Sequence, residues 1–273
     1  MGAAPKLIVG PDSDSTHWYT RSGESAYEVI NAKGKTVPTT LAHARKLGLL
    51  WSVTRICGIP EKPQLNRWKT NNFAGALLQN DDALRRFLDG EIDARQVCAI
   101  AMQEADKATT QPRDMGTLIH GWLEEAVVSG SFHPDDPGYA QGVMSALEAH
   151  FPDAEWESEK AFGSPLGYGG KVDLHCRKYD GIVLDFKGKD FSPEEAERIS
   201  PYDDHAMQLA AYRKGLDLPN ARCYNLFFSR THPGVTALWE WEEDELERGW
   251  RMFQHLLGFQ IAKTGHDPSW EQE

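Results

Sequence analysis

Apolar residues along this chain recur with two periods, and the changes of period mark out the elements. Period two is clearest in GGKVDLHCRKYDGIVLDFKGKD, residues 169–190. It predicts strands over 170–174 and 182–187, joined by a turn that ends in Asp180-Gly181, a hairpin signal. Residues 155–162 alternate into this hairpin. A buried strand is expected over 221–230, with a partner over 234–241. Residues 27–35 read as a strand and turn of an edge hairpin. The helical period appears at Leu41, Ala44, Leu47 and Leu50, with Thr40 as cap. It returns over 71–110, where Phe73, Leu77, Leu78, Leu84, Phe87 and Leu88 form the expected core face. Gly90 and Asp93 break that run before a second helix over 94–109. Asp114 then reads as the N-cap of a further helix reaching Val127. After the loop 130–138 a helix runs to about His150, and another starts near Asp203 and stops at Gly215. The last helix, 243–263, aligns Leu246, Trp250, Phe253, Leu257 and Ile261. The tail from Gly265 is polar and expected to fray.

Strands and helices in this order predict an α/β protein with a central mixed β-sheet flanked by helices. The chain has 273 residues, no internal repeat and no clear linker. One domain is therefore expected, with 1–110 as a basic, helical N-terminal elaboration and 111–265 as the core. Apolar content of 40% and charged content of 26% are those of a soluble globular protein. No stretch approaches the roughly 20 apolar residues of a membrane span, and the N-terminus lacks a signal-peptide run, so no membrane and a cytoplasmic location are expected. Cys57, Cys98, Cys176 and Cys223 are scattered and read as reduced thiols. The net charge of −12 is unevenly spread. Residues 1–70 hold ten Lys or Arg against five Asp or Glu, a balance of +5 that leaves −17 for the rest. A basic front on an acidic body can still steer a polyanion.

The candidate chemistry centres on the hairpin. Strand alternation puts Asp185 and Lys187 on one face and Phe186 on the other. The simplest register brings Asp173 beside Asp185. Two carboxylates and an ammonium then make a divalent-metal site with a cation beside it. The same residues are also what the wet face of an ordinary hairpin carries. His120 and Glu124, four apart, share a helix face, and Gly116 leaves room one turn earlier; a structural histidine has the same appearance. Glu159 lies on the strand feeding the hairpin and could reach the same place. Gln208 and Tyr212 share a face of their helix, as a polar edge also would. Near the front, Arg55, Lys62, Arg67 and Lys69 could grip phosphates, Ser52 and Thr54 could donate to them, and Trp51 or Trp68 could offer a stacking face. Basic surface around a structural tryptophan fits those residues equally well.

In this order the pieces resemble the PD-(D/E)XK nuclease superfamily, and within it the RecB-like exonucleases. Those proteins carry a helical Gly-x-x-x-His, matched by Gly116 and His120. An Asp on one strand follows, matched by Asp173, and then (Asp/Glu)-x-Lys on the next, matched by Asp185-Phe186-Lys187. A helical Gln-x-x-x-Tyr comes last, matched by Gln208 and Tyr212. The segment from Ser52 to Trp68 is similar to the entry region of phage exonucleases and of mitochondrial genome maintenance exonuclease. The likeness spans residues 50–215. Val172 stands where the family name has Pro, and Gly188 where relatives often have Thr. The cysteine clusters of iron–sulfur relatives are absent, so no iron–sulfur cluster is expected.

The resemblance implies a restriction-endonuclease-like core and metal-dependent hydrolysis of DNA phosphodiesters. It implies Mg²⁺ or Mn²⁺ held by Asp173, Asp185, the Phe186 carbonyl and His120, with Lys187 at the attacking water. Gln208 and Tyr212 would position substrate or catalytic groups, and Glu124 and Glu159 would serve a second metal or support the first metal's ligands. The expected activity is an exonuclease acting at a free DNA end, in phage-type or bacterial recombination, repair or DNA processing. A single-strand annealing protein or a helicase is the expected company, in a bacterial or phage-infected cell. An endonuclease of the same superfamily, or a non-catalytic nucleic-acid-binding protein that keeps the fold, are the alternatives.

Overall fold

The computed structural model describes residues 6–8 and 17–271, so most of the N-terminal segment read for a leader lies outside the described residues. The chain forms β1 (Lys6–Ile8), β2 (Trp18–Tyr19), β3 (Glu28–Ile30), β4 (Thr36–Pro38), α1 (Leu41–Leu47), β5 (Leu50–Ser52) and α2 (Val53–Cys57). Three helices follow: α3 (Pro63–Gln79), α4 (Asp81–Leu88) and α5 (Ala94–Ser129). Then come α6 (Tyr139–His150), β6 (Glu157–Ser164), β7 (Tyr168–Cys176) and β8 (Ile182–Lys189). A short 3₁₀ helix (Pro193–Arg198) leads to α7 (Asp203–Gly215), β9 (Arg222–Ser229), β10 (Thr236–Glu240) and α8 (Glu243–Thr264).

The chain divides into two compact units. One combines residues up to Ile59 with those from Trp122 onward, and the other is Pro60–Gly121. The division differs from the expected boundary at residue 110, because the front of the chain joins the main sheet through β5 and β2.

In the larger unit, seven strands form a mixed sheet flanked by helices, as the alternation of strands and helices predicted. The β5–β7 and β8–β9 pairs are parallel, while β6–β7, β7–β8 and β9–β10 are antiparallel. Successive strand residues face opposite sides. Val183 and Cys223 join a core with Ala206, Leu209 and Ala210 of α7 and Phe253 of α8. Their neighbours turn the other way: Tyr224 meets Phe151 at 5.0 Å and Phe228 meets Tyr139 of α6 at 6.4 Å between ring centroids. Helices α7 and α8 can lie close because Gly249 presents no side chain. A Cβ there would fall 2.8 Å from the Ala206 carbonyl. Arg213, buried on α7, is held by the Glu243 carboxylate through two bonds of 2.6 and 2.7 Å.

One edge of β7 is shared. Strand β6 pairs along its whole length on the other edge, from Tyr168 to His175. On the shared edge, β5 takes Tyr168 and Gly169, and β8 takes Leu174, His175 and Cys176. Between those pairings β7 and β8 diverge, and the fork opens at Asp173 and Asp185.

The smaller unit is helical, with Ala83, Ile92 and Val97 at its core and Leu77 and Ile100 packed on them. The expected core face is wrong in part. Leu78, Phe87 and Leu88 are exposed, because the shorter residues Ala83 and Val97 face inward instead. The break expected at Asp114 is also absent: α5 continues through Pro112. A proline removes one helical hydrogen bond. Apolar side chains buried at both ends of this helix, Val97 and Ala101 at one and Leu123 and Ala126 at the other, keep it helical in spite of that.

The tail from Gly265 does not fray as expected. His266 is buried and its Nε2 lies 2.8 Å from the Leu49 carbonyl oxygen. The Trp270 amide donates to the Pro165 carbonyl. No helix among the described residues is long and apolar enough to cross a membrane.

Candidate active site at the fork of β7 and β8

The β7–β8 ladder ends at Leu174↔Leu184, and the next rung would pair Asp173 with Asp185. The Asp173 carboxylate instead reaches across the opening strands and accepts from the Phe186 amide at 2.7 Å. This bond stands in for the rung that is lost.

Asp185 is almost fully buried, and Lys187, Gln208 and Asn225 all bond to its carboxylate. Lys187 lies on the same face of β8, with its Nζ 2.6 Å from Asp185 Oδ2. From α7, Gln208 Nε2 donates to Asp185 Oδ1 at 2.9 Å, while its Oε1 accepts from Lys187 Nζ at 3.1 Å. Gln208 also donates to the Tyr212 hydroxyl at 2.8 Å. One amide thus ties carboxylate, ammonium and phenol together. The i, i+4 spacing of Gln208 and Tyr212 places both on the side of α7 that covers β8. Gly170 on β7 makes room for Tyr212, since a Cβ there would come 2.8 Å from the Tyr212 ring.

The sequence reading missed the residues behind this cluster. Asn225 sits opposite Asp185 in the parallel β8–β9 register and donates to its Oδ2 at 2.9 Å. Trp241 Nε1 in turn donates to Asn225 Oδ1 at 2.8 Å. A signal was present, since Asn225 is an amide set among the apolar and aromatic residues 223–228, but the strand register was not legible. Asp204, one turn before Gln208, bears electrostatically on Lys187.

Burial raises the Asp173 carboxyl above the usual carboxylate range, against the opposing pull of Lys187 and the Phe186 amide. Burial pulls Lys187 down, but the Asp185 and Asp173 carboxylates outweigh it and leave the ammonium raised. Burial, reinforced by Asp185 and Asp173, drives the Tyr212 phenol well up. At neutral pH the cluster therefore holds a charged lysine and a neutral phenol.

Glu159 faces Asp173 across β6–β7, between the pairs Ser158↔Leu174 and Lys160↔Val172. Its backbone is left-handed, with φ 54°, and its carboxylate is ion-paired with Lys171. Burial pushes the Glu159 carboxyl up to about 7, with Asp173 and Glu124 adding to the rise and Lys171 opposing it. Glu124, exposed near the end of α5, is close enough to influence both Asp173 and Glu159. His120 belongs to the smaller unit and is half-buried on α5.

The expected phosphate contacts separate. Ser52 is buried, and its hydroxyl caps α2 by accepting from the Arg55 amide at 3.1 Å. It is thereby committed to the fold. Thr54 and Arg55 are exposed, and the Arg55 guanidinium lies over the Trp51 ring at 5.5 Å. Trp51 is wholly buried, so it offers no stacking face, contrary to expectation; its indole N–H is spent on the His266 carbonyl. Lys62, Arg67, Trp68 and Lys69 are all exposed at the start of α3 in the smaller unit.

All donors at the fork are oxygens, and two are carboxylates held on adjacent strands, a chemistry suited to a hard divalent cation. Among the described residues, however, no three His, Cys, Asp or Glu gather as a metal-holding set. The Lys187 ammonium supplies the positive charge beside Asp185.

No known family's sequence profile matches this chain, and no curated protein matches it. Among solved structures it is similar to one described as "Crystal structure of SSO0001", with 20% identity and a TM-score of 0.27. That match covers 44% of this chain and 56% of the other, and a likeness so slight carries no argument. The chain spans about half the length of that structure.

Proposed function

We propose that the protein is a metal-dependent DNA nuclease with a restriction-endonuclease-like core of the RecB-like kind, and that it acts as an exonuclease at a DNA end. One observation carries this reading. Asp173, Asp185 and Lys187 meet where β7 and β8 separate, and Gln208 and Tyr212 from α7 close over them. An ordinary solvated hairpin face would not bury its central aspartate or roof it with a helix.

Asp173, Asp185 and the Phe186 carbonyl would hold Mg²⁺ or Mn²⁺. A cation held there would neutralise phosphate charge and lower the pKa of a bound water, which would lose a proton to solvent and supply hydroxide as the nucleophile. Lys187 keeps its proton at neutral pH, so it acts as a fixed positive charge. It orients the attacking water and stabilises charge developing on the phosphate. Gln208 fixes the Lys187 ammonium and the Asp185 carboxylate relative to each other, which limits the rearrangement needed during reaction. Glu124 and Glu159 stand near Asp173, where Glu159, with its carboxyl raised to about 7, is only partly ionised at neutral pH. Lys62, Arg67, Trp68 and Lys69, with Thr54 and Arg55, are the surface positions proposed to meet DNA.

One observation favours a second reading, a nucleic-acid-binding protein that does not cut: the fork gathers two carboxylates where a closed metal set has more. Digestion of an end-labelled linear DNA with Mg²⁺ or Mn²⁺, comparing wild type with Lys187→Ala, separates the two. Metal-dependent loss of label that disappears in the variant supports the nuclease. DNA bound but uncut by both proteins supports the second reading. A covalently closed circle cut as fast as linear DNA would replace the exonuclease with an endonuclease.

A further inference from the structure

The alternation of β8 does not end at Lys187. Lys189 is the next residue on the same face, two positions and roughly 6–7 Å further along the strand. Its Nζ donates to the Ser200 carbonyl at 3.1 Å. The same ammonium lies 5.0 Å from the centre of the Tyr202 ring and 5.8 Å from that of Phe227.

Phe227 is buried, but Tyr202 is 52% exposed. Tyr202 immediately precedes α7, the helix that supplies Gln208 and Tyr212. Its ring meets His205 edge-on at 5.5 Å. Pro201 precedes it, and the Lys189 bond to Ser200 ties the backbone two residues before it. The aromatic is thus held in place while half of it stays at the surface, one strand step beyond Lys187. Asp190, the nearest acid in sequence, is taken up by Arg230 at 2.8 Å, so it does not cancel the Lys189 charge.

A cation beside a half-exposed, pre-positioned aromatic ring is the pair that single-stranded nucleic acid uses. The ring takes a base face and the ammonium takes a phosphate. The spacing from Lys187 to Lys189 is comparable to one nucleotide step of an extended strand. We propose that Tyr202 and Lys189 form a subsite for the nucleotide next to the phosphate at Lys187, with its base stacked on Tyr202. A base can stack there only when unpaired, so the substrate entering the fork is single-stranded DNA. This inference rests on the nuclease reading for its placement, but its binding chemistry can be tested without cleavage.

The test uses the full chain and single-stranded oligonucleotides, one normal and a set carrying a single abasic residue at each of the terminal six positions. Binding is followed by fluorescence anisotropy in chelator, and digestion by end label with Mg²⁺. Tyr202→Ala should weaken binding of the normal oligonucleotide about tenfold, as loss of one stacked base does. Tyr202→Phe should restore it. On one abasic oligonucleotide, wild type and Tyr202→Ala should become equal, which a merely structural role would not produce. Lys189→Gln should lower the slope of log affinity against log salt by about 1. Equal binding by wild type and Tyr202→Ala, or a loss that persists on every abasic oligonucleotide, overturns the subsite. If the binding pattern holds but wild type cuts nothing, the nuclease reading fails and the subsite stands. If wild type cuts and Tyr202→Ala matches it on every oligonucleotide, the nuclease stands and the subsite falls.

Discussion

Asp185 and Asn225 lie opposite each other in the parallel β8–β9 ladder, and the Asn225 amide donates to the Asp185 carboxylate at 2.9 Å. The carboxylate is buried, so each donor aimed at it offsets part of its desolvation. Asn225 also accepts from Trp241, so it fixes the back of the site to the segment between β10 and α8. Asn225→Ala leaves the Trp241 N–H without this acceptor and Asp185 with one donor fewer. A loss of about 2–4 kcal/mol is expected in urea unfolding. A change below about 0.5 kcal/mol, the size of an ordinary surface substitution, would show that the network is dispensable.

Gly170 and Tyr212 make a second coupled pair. The Cβ of Gly170→Ala would sit 2.8 Å from the Tyr212 ring, whose hydroxyl is anchored by Gln208. Overpacking of this kind costs about 1–3 kcal/mol. The expected signature is non-additive. Tyr212→Leu removes the obstructing ring edge, so adding Gly170→Ala to it should cost less than in the wild-type background. Equal costs in both backgrounds, measured as a double-mutant cycle, would mean that Tyr212 is not what the glycine accommodates.

The docked tail yields a third expectation. His266 Nε2 and the Leu49 carbonyl are 2.8 Å apart in a buried setting, close to the Trp51 indole that bonds to the His266 backbone. His266→Ala leaves the Leu49 carbonyl buried without this partner. It should cost about 1–3 kcal/mol in thermal or urea unfolding. A tail that only rested on the surface would give no measurable change.

This tail shows where the sequence was legible and where it was not. The hairpin 169–190, the helix ending at Gly215 and the β9–β10 pair all announce themselves through local period and turn chemistry, and each appears close to its expected bounds. Asp185, Lys187, Gln208 and Tyr212 could be singled out because strand period two and helix period four each act within one element. What stayed hidden depends on which elements meet. Trp51 looks like a stacking aromatic until β5 is placed beside β7, and Ser52 looks like a phosphate donor until α2 begins on it. His266 and Trp270 are polar-looking tail residues until Leu49 and Pro165 arrive beside them. Asn225 needed the β8–β9 register, which no local pattern encodes. The continuity of α5 through Pro112 was misread for the same reason, because burial at both ends outweighs the local breaker.

Glu159 supplies a pH dependence with a definite sign. Its carboxyl titrates near the ordinary 4.5 when unfolded and at about 7 in the folded protein, raised chiefly by burial. Between those values the folded state keeps a proton that the unfolded state has released. Stability from this residue is therefore full below about pH 4.5, falls as pH rises, and levels off above about 7. The shift corresponds to at most about 3 kcal/mol, and partial solvent access reduces it to about 1–2 kcal/mol. Glu159→Gln removes the titration while keeping a polar side chain of the same shape. In chelator, the variant should be more stable than wild type at pH 8, by about that amount, and the advantage should vanish near pH 4.5. Lys171 sharpens the test, since it opposes the rise through its ion pair with Glu159. Lys171→Met should therefore push the Glu159 carboxyl higher and widen the gap at pH 8. A wild type whose stability relative to Glu159→Gln stays constant from pH 4.5 to 8 would show that Glu159 titrates as a solvated carboxylate, and that its left-handed backbone does not hold it in the buried position.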